Sequence, residues 1–223
     1  MNGIYAADLS PLQSESVFLR YYAAASENRR KKADAYKKSE DRVRSIGAEA
    51  LLFAALKTRG IDRPEIAVDG YGKPFLRDGG AFFNLSHSGN FVFCAVSDAP
   101  VGCDVEEIKS VDLSLAKRWF TAEEYAAVFG AEDPTEAFFR QWTLKESYLK
   151  AIGTGLLLPL DGFTVRTKAG GISVERTEKW GDGCQIPDIA AEKWYFSEYA
   201  FSGYRAAVCS AEAGFPAPVF VQL

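Results

Sequence analysis

Two long stretches of the chain carry apolar side chains at helical spacing. Residues 43–55 show the i, i+3, i+4 pattern, which predicts a helix that Ser39 caps and Gly60 ends. In the second half, Asp133-Pro134 supplies a cap and a first-turn proline for a long helix that includes Trp142–Lys150 and closes at Gly153. Shorter helices are predicted over residues 14–25 and 113–120, and from residue 121 onward, where a capping box begins.

Short β-branched and aromatic runs follow each helical section and predict strands. Two polar, glycine-containing segments separate some of these runs. We expect a hairpin at residues 78–80 and a connection between strands, with His87 in it, at residues 86–90. The predicted strands cover residues 4–7, 66–68, 81–85, 91–96, 101–106, 163–167, 172–175, 194–200, 204–209 and 219–221, with a further extended segment at residues 74–76.

The two halves of the chain repeat one order, a helical section and then a strand-rich section. Residues 88–95 also resemble residues 202–209, about half a chain away. Both features are expected of a duplicated unit. We therefore predict an α+β fold with two similar subdomains, residues 1–100 and 101–223, and a ligand site in the cleft between them.

Composition places the chain among globular proteins without a membrane span. Of 223 residues, 48% are hydrophobic and 25% are charged. No apolar run approaches the roughly 18 residues that a membrane helix needs. The first residues lack a secretion pattern, and Cys94, Cys103, Cys184 and Cys209 form no C-x-x-C pair. We expect a cytoplasmic protein with reduced cysteines.

Charge is distributed unevenly along the chain. Residues 29–44 hold eight Lys or Arg and three acids, whereas the whole chain has a formal charge of −4. A local basic segment in an acidic protein suggests a small anionic ligand more than a nucleic acid, which needs a broader positive face.

Three acidic residues and a lysine are candidates for chemistry. Asp104 and Glu106 lie two apart on a predicted strand and share a face. Glu146 and Lys150 lie one helical turn apart, on the stripe that also carries Trp142. The simple interpretation is two hydrated carboxylates and a surface ion pair. The alternative is that Asp104, Glu106 and Glu146 hold a hard divalent cation.

Other polar residues are ordinary surface groups if each is taken alone. His87 lies among small polar residues whose backbone N–H groups could face an anion. Lys73 precedes Pro74, and Lys31 and Arg44 belong to the basic segment. Under a functional interpretation these cations bind phosphate. The chain contains neither a P-loop nor a dinucleotide-binding glycine motif to do so.

Five motifs in order resemble the surfactin-type (Sfp-type) 4'-phosphopantetheinyl transferases. The resemblance covers nearly the whole chain. It implies a pseudo-twofold pair of α+β subdomains and fits the smaller, trimeric holo-acyl-carrier-protein synthases less well. The motifs are Gly72-Lys73-Pro74, Phe83-Asn84-Leu85-Ser86-His87-Ser88, Val101-Gly102-Cys103-Asp104-Val105-Glu106, Phe120-Thr121-Ala122-Glu123-Glu124-Tyr125, and Trp142-Thr143-Leu144-Lys145-Glu146-Ser147 with Lys150, Gly153 and Gly155.

The resemblance implies an enzyme that moves phosphopantetheine from coenzyme A to a serine of an apo acyl or peptidyl carrier protein, releasing 3',5'-adenosine bisphosphate. Asp104, Glu106 and Glu146 would hold Mg²⁺, with Mn²⁺ as an alternative. Ser86, His87 and Lys150 would contact coenzyme A, the last two at its pyrophosphate. Lys73 would contact its nucleotide end, and Lys31 and Arg44 its 3'-phosphate. One departure affects the last contact, because the first lysine of the family's phosphate clamp is Asn28 here.

Several points remain open at the level of sequence. Glu146 or a metal-bound water could be the base for the carrier serine. The segment from Ile108 to Phe129 mixes cations with apolar side chains, which suits either carrier docking or ordinary helix packing. The carrier and its pathway (fatty acid, polyketide or non-ribosomal peptide) are not specified. We expect a monomer, since one chain contains both halves.

Two alternative functions compete with the transferase. One is an inactive module of the same fold that binds coenzyme A or a carrier protein. The retained Asp104, Glu106, Glu146 and Lys150 argue against it. The other is an unrelated Mg²⁺-dependent phosphodiesterase, which would not explain the additional cationic residues.

Overall fold

The computed structural model describes residues 1–168, 170–180 and 193–223. Three short 3-10 turns, Ser10–Gln13, Gly155–Leu157 and Leu160–Gly162, join some of its elements. The first half contains β1 (Gly3–Asp8), α1 (Glu15–Ala24), α2 (Glu27–Asp34), α3 (Ser39–Lys57), β2 (Ile66–Val68), β3 (Pro74–Leu76), β4 (Phe82–Ser88) and β5 (Phe91–Ser97). The second half contains β6 (Val101–Glu107), α4 (Ser114–Trp119), α5 (Ala122–Phe129), α6 (Pro134–Ile152), β7 (Phe163–Lys168), β8 (Gly171–Arg176), β9 (Tyr195–Phe201), β10 (Tyr204–Ser210) and β11 (Val219–Phe220).

Both halves follow one topology: a strand, three helices, a two-stranded hairpin and a final pair of strands. The repeated strands form sheets of corresponding order, β1-β5-β4 and β6-β10-β9, with β5 and β10 in the middle. Gly89 and Gly203, from the two similar sequence segments, lie in equivalent turns with φ of 53° and 77°. The predicted α+β fold with two similar halves is confirmed.

The two sheets pack against each other, and each has a helix on its outer face. Alternate residues of β1 and β5 face α3, while Ile4, Ala6 and Phe93 face the second sheet. On β6, Val101, Cys103 and Val105 enter that shared core. The residues between them, Gly102, Asp104 and Glu106, therefore project from the opposite face of the strand. The predicted orientation of β6 is confirmed.

Helix α6 lies directly on β6 because Gly102 has no side chain. A Cβ atom at Gly102 would lie 2.2 Å from the backbone N of Ala151 and 2.2 Å from the backbone O of Ser147. Any larger residue would push the helix away from the strand. The contact brings the face of α6 with Glu146 and Lys150 to the strand with Asp104 and Glu106.

The division into residues 1–100 and 101–223 stays a prediction, and two observations bear on it. Strand β11, near the C-terminus, pairs with β1 and so joins the sheet of the first half. The core between the sheets also draws its side chains from both halves. The halves repeat a topology but share a core.

Residues 86–88 belong to β4, so the prediction that they form a connection was wrong. Pairing of β4 with β5 continues to Ser88 and Phe91, and only Gly89 and Asn90 turn the chain. Small polar residues suggested a loop. Here they form the end of a strand whose alternate side chains, at Ser86 and Ser88, are buried against the second half.

Two further local predictions were wrong, and one helix was missed. Residues 78–80 link β3 to β4, which do not pair, so they make no hairpin. Helix α3 begins at Ser39 rather than being capped by it, and ends at Lys57, before Gly60. Helix α2 was missed because its side chains are nearly all polar and no apolar periodicity marks it.

Cys94, Cys103 and Cys209 are buried free thiols, as predicted, and Cys184 lies outside the described residues. Among the helices of the described segments, none is long and apolar enough to cross a bilayer.

Candidate active site

The candidate site lies where β4 of the first half meets β6 of the second. Asn84 Oδ1 accepts a hydrogen bond from the backbone N–H of Cys103 at 2.9 Å. Further along, Ser86 Oγ donates to Asp104 Oδ1 and Ser88 Oγ donates to Glu106 Oε2, both at 2.7 Å. Sequence analysis missed Asn84 and Ser88. Both lie two residues from Ser86. Residues at this spacing share a face of a strand, so the positions could have been recognised if the strand had been predicted to reach Ser88.

Lys150 forms an ion pair with Asp104 across the junction. Its Nζ lies 2.5 Å from Asp104 Oδ1 and 3.2 Å from Ser86 Oγ. Burial by itself lowers the pKa of Lys150, but the charge and hydrogen bond of Asp104, with smaller contributions that include Glu146, together outweigh burial and raise the pKa. The ammonium therefore stays charged. The simple interpretation of a surface pair between Glu146 and Lys150 was wrong.

Glu106 and Glu146 share a carboxylate-rich environment with Asp104. The pKa of each glutamate is raised, first by desolvation and then by the negative charge of Asp104. Within the described part of the chain, the Glu146 carboxylate makes no hydrogen bond or ion pair. It is therefore free to accept a proton or to bind a cation.

The donors fit a hard divalent cation. Asp104 Oδ2 is buried and has no hydrogen-bond partner among the described residues. An unpaired carboxylate oxygen beside two glutamates of raised pKa is the environment that a cation relieves. Among the described residues, no three His, Cys, Asp or Glu side chains form a ready-made ligand set. The fit therefore rests on the chemistry of the donors and on the unpartnered oxygen.

Arg44 adds positive charge on the other side of β4, where the His87 ring also lies. Arg44 Nη1 donates to the backbone O of Gly89 at 3.2 Å, and its Nη2 lies 2.6 Å from Asp41 Oδ1. The His87 ring is exposed, yet enough protein surrounds it that desolvation lowers its pKa, as do Arg44, Lys150 and Lys32. A negative ligand would meet the Arg44 guanidinium and an uncharged His87 ring there.

Lys31 does not join this group. Its Nζ pairs with Glu27 Oε1 at 2.6 Å, and its side chain is 72% exposed. Lys32 instead is the residue of α2 whose charge acts on His87. Lys32 was not predicted as a site residue. Helix α2 was not recognised, so nothing indicated which of the adjacent residues Lys31 and Lys32 faces His87.

Lys73 reaches from the turn before β3 to the end of α6. Its Nζ donates to the backbone carbonyls of Lys150 at 2.6 Å, Ala151 at 3.1 Å and Val101 at 3.3 Å. A cavity of about 250 Å³ beside it is lined by Lys73, Lys150 and residues of both halves. Burial lowers the pKa of Lys73 to about 8.

A buried ion pair supports α6 at Lys145, the residue before Glu146. Lys145 Nζ lies 2.6 and 2.7 Å from the two carboxylate oxygens of Glu124 and 2.6 Å from the backbone O of Phe163. Glu124 also accepts hydrogen bonds from Gln141 and from the backbone N–H groups of Thr121 and Val165. The capping box was predicted and is confirmed, but the ion pair was missed.

Comparison with known proteins identifies the family. The sequence model of the 4'-phosphopantetheinyl transferase superfamily matches residues 100–209. The 4'-phosphopantetheinyl transferase Sfp of Bacillus subtilis is 33% identical over 204 residues, which cover 88% of this chain and 87% of that protein. A second 4'-phosphopantetheinyl transferase of Bacillus subtilis is 36% identical, covering 88% of this chain and 86% of its own.

Two further matches cover a smaller part of the chain. The 4'-phosphopantetheinyl transferase psf-1 of Bacillus pumilus is 40% identical over 130 residues, 57% of this chain and 56% of that protein. The holo-[acyl-carrier-protein] synthase of Thermotoga maritima aligns with a TM-score of 0.42 and 20% identity over 50% of this chain and 62% of its own, which is too distant to support an argument.

The fold and the site define an α+β protein in which carboxylates and a lysine ammonium meet in a cleft between two similar halves. The two Bacillus subtilis relatives are 33% and 36% identical to the chain over most of its length. The chain therefore belongs to the Sfp-type 4'-phosphopantetheinyl transferase family.

Proposed function

We propose that the protein transfers 4'-phosphopantetheine from coenzyme A to a serine of an apo acyl or peptidyl carrier protein, in a reaction that requires Mg²⁺. The observation that carries the proposal is the junction of β4 and β6. There Asp104, Glu106 and Glu146 meet Lys150, and one buried oxygen of Asp104 has no partner within the described chain. Family membership supports the reaction type.

Asp104, Glu106 and Glu146 are the proposed metal ligands. A divalent cation held there would neutralise charge on the pyrophosphate of coenzyme A. Carboxylate oxygens suit Mg²⁺ and Mn²⁺ alike, so Mn²⁺ is the alternative cation for this site.

Lys150, His87 and Arg44 are the proposed anion-binding groups of the chain. The raised pKa of Lys150 keeps its ammonium charged near the reacting phosphate. The lowered pKa of His87 leaves the ring able to donate a hydrogen bond without carrying charge. Arg44 and Lys32 are proposed to meet the 3'-phosphate in place of an exposed Lys31 paired with Glu27.

Glu146 is proposed to accept the proton of the carrier serine. Its carboxylate makes no competing hydrogen bond among the described residues, so an oxygen that does not bind the metal is available to the serine proton. The serine oxygen forms a bond to the β-phosphorus. The bond from that phosphorus to the bridging oxygen breaks, and 3',5'-adenosine bisphosphate leaves with the electron pair.

The surface of α4 and α5 is the proposed docking site for the carrier. Leu115 and Phe129 are 39% and 45% exposed there, and Lys109, Lys117 and Arg118 of the same segment are exposed too. A surface that mixes apolar side chains with cations suits a carrier helix with acidic flanks.

The test is to incubate the protein with coenzyme A, Mg²⁺ and several apo carrier proteins and to weigh each carrier. We expect the mass of at least one carrier to rise by one phosphopantetheine, and to stay unchanged when the metal is chelated. A protein that binds coenzyme A but modifies no carrier would instead support the inactive binding module.

We also propose that the protein acts as a monomer in the cytoplasm and binds no nucleic acid. Both halves of the cleft come from one chain. Size-exclusion chromatography with light scattering would test the monomer. A stable dimer or trimer at micromolar concentration would contradict it.

A further inference from the structure

Lys73 makes its three contacts with backbone rather than with other side chains. Its Nζ lies 2.6 Å from the carbonyl O of Lys150, 3.1 Å from that of Ala151 and 3.3 Å from that of Val101. The first two carbonyls belong to the last turn of α6, and the third belongs to the first residue of β6. One ammonium group from the first half thus joins two elements of the second half.

The end of a helix is a favourable place for such a cation. The last four carbonyls of a helix have no partner within it, and the helix dipole makes this end negative. In α6, the backbone N–H of Gly153 satisfies only the carbonyl of Leu149. Lys73 satisfies two of the carbonyls that follow.

The backbone of Lys73 is held firmly enough to act as an anchor. Asp69 Oδ1 accepts hydrogen bonds from the backbone N–H groups of Tyr71 and Lys73, both at 2.9 Å. Pro74 follows at once and restricts the backbone further. The ammonium therefore reaches α6 from a rigid turn.

We propose that Lys73 is a positioning residue that holds the end of α6 against β6 and so places the Lys150 ammonium at Asp104 and Ser86. The expected effect on kcat rests on the proposed function, whereas the structural role of Lys73 does not.

The geometry separates this role from a direct contact with coenzyme A. An ammonium group has three hydrogens, and three carbonyl oxygens lie within reach of them. A phosphate or adenine contact would have to break one of these bonds. Lys73 is also one of the residues that line the adjacent cavity of about 250 Å³.

The test compares catalysis with nucleotide binding in Lys73→Met. We expect kcat to fall by about 10- to 100-fold, the effect of displacing a catalytic group by about 1 Å. The Kd for 3',5'-adenosine bisphosphate, measured by calorimetry, should change less than about twofold. Lys57→Met, which removes an exposed lysine from the last turn of α3, is the matched control and should alter neither value. Lys73→Arg, which keeps a charged donor, should recover part of kcat.

The opposite pattern would overturn the proposal: an unchanged kcat with a Kd weakened tenfold or more would make Lys73 a ligand contact. A measurement on the wild-type protein covers the case in which Lys73→Met does not fold. The ¹⁵N-labelled Lys73 ammonium should give a slowly exchanging NMR signal that 3',5'-adenosine bisphosphate does not shift. A signal absent without the nucleotide, or shifted by it, would refute the role. This readout needs no turnover, so it is independent of whether a carrier is modified.

Discussion

Asp104 is the residue on which the electrostatics of the site depend. One carboxylate oxygen accepts hydrogen bonds from Ser86 and Lys150, and the other is buried without a partner among the described residues. Its negative charge also raises the pKa values of Glu106 and Glu146. Without a cation, this group of carboxylates repels itself, which is a cost in folding stability.

The cost predicts that Glu146→Gln stabilises the metal-free protein while it removes transferase activity. The amide is nearly isosteric and carries no charge, so repulsion from Asp104 is relieved. If the relief is about 1 kcal/mol, the Tm should rise by about 2 to 4 °C. Mg²⁺ should then raise the Tm of the wild type more than that of the variant, because the variant lacks one ligand. Differential scanning calorimetry with and without Mg²⁺ measures both effects.

The same variant has a predicted pH dependence. The pKa of Glu146 is raised in the folded protein, so the folded state binds this proton more readily than the unfolded state does. Its contribution favours folding below the unfolded pKa and is lost as pH rises through the folded pKa. The advantage of Glu146→Gln should therefore be full at about pH 8 and disappear at about pH 4. Glu132→Gln, at an exposed loop position, is the control. An equal advantage at both pH values would contradict the repulsion.

At the scale of elements, α6 carries two of the proposed catalytic groups and is held from three sides. Gly102 allows it to lie on β6, Lys73 binds its C-terminal carbonyls, and Lys145 ties it to α5 and β7 through Glu124. Helix packing tolerates little displacement, so each contact should affect catalysis as well as stability.

Gly102→Ala should reduce both catalysis and folding stability. The new Cβ would lie 2.2 Å from backbone atoms of α6, and neither backbone can move without shifting the element that carries it. Overpacking of this kind typically costs about 1 to 3 kcal/mol. We expect a lower free energy of unfolding in urea and a loss of kcat larger than the loss of coenzyme A binding. Gly70→Ala, at a position with nothing within 4 Å, is the control. Unchanged turnover in Gly102→Ala would show that α6 is not held in place by this contact.

Two neighbouring glutamates of α5 give a second test. Glu124 and its partner Lys145 are 2% and 0% exposed at their side chains, so Glu124→Gln leaves a buried ammonium uncompensated. Breaking a buried pair typically costs about 3 to 5 kcal/mol. Glu123 pairs with Arg166 but is 54% exposed, and Glu123→Gln should cost about 0 to 1 kcal/mol. Urea unfolding of both variants measures the difference. Equal losses of unfolding free energy in the two variants would mean that burial does not make the Glu124–Lys145 pair more stabilising than the exposed Glu123–Arg166 pair.

Sequence periodicity correctly predicted the elements that have one apolar and one polar face. It did not predict elements that lack this contrast. The alternation of Val101, Cys103 and Val105 with Asp104 and Glu106 gave the correct orientation of β6. Helix α2 has no apolar face, and the end of β4 has a loop-like composition, so neither could be recognised. The choice of partner for Lys150 also lay beyond the sequence. Local spacing favours Glu146, and only the meeting of two distant elements provides Asp104.

At the scale of the whole molecule, the site and the core are properties of both halves together. Ser86 of the first half binds Asp104 of the second, and Lys73 of the first half binds the end of α6. Between the sheets, Ile4 and Phe93 pack with Cys103 and Val208 in one apolar cluster. Each half alone would expose that face to water.

The shared core predicts that the halves do not fold separately. A chain divided in the turn between β5 and β6, as fragments 1–99 and 100–223, should give two fragments that lack cooperative thermal unfolding because each exposes an apolar sheet face. An equimolar mixture should recover cooperative unfolding and carrier modification, since the fragments together supply the β4–β6 junction. Circular dichroism and the carrier mass assay measure the two outcomes. Cooperative unfolding of fragment 100–223 by itself would instead make residues 101–223 an independent domain. The β4–β6 contacts would then be an interface between domains rather than part of one fold.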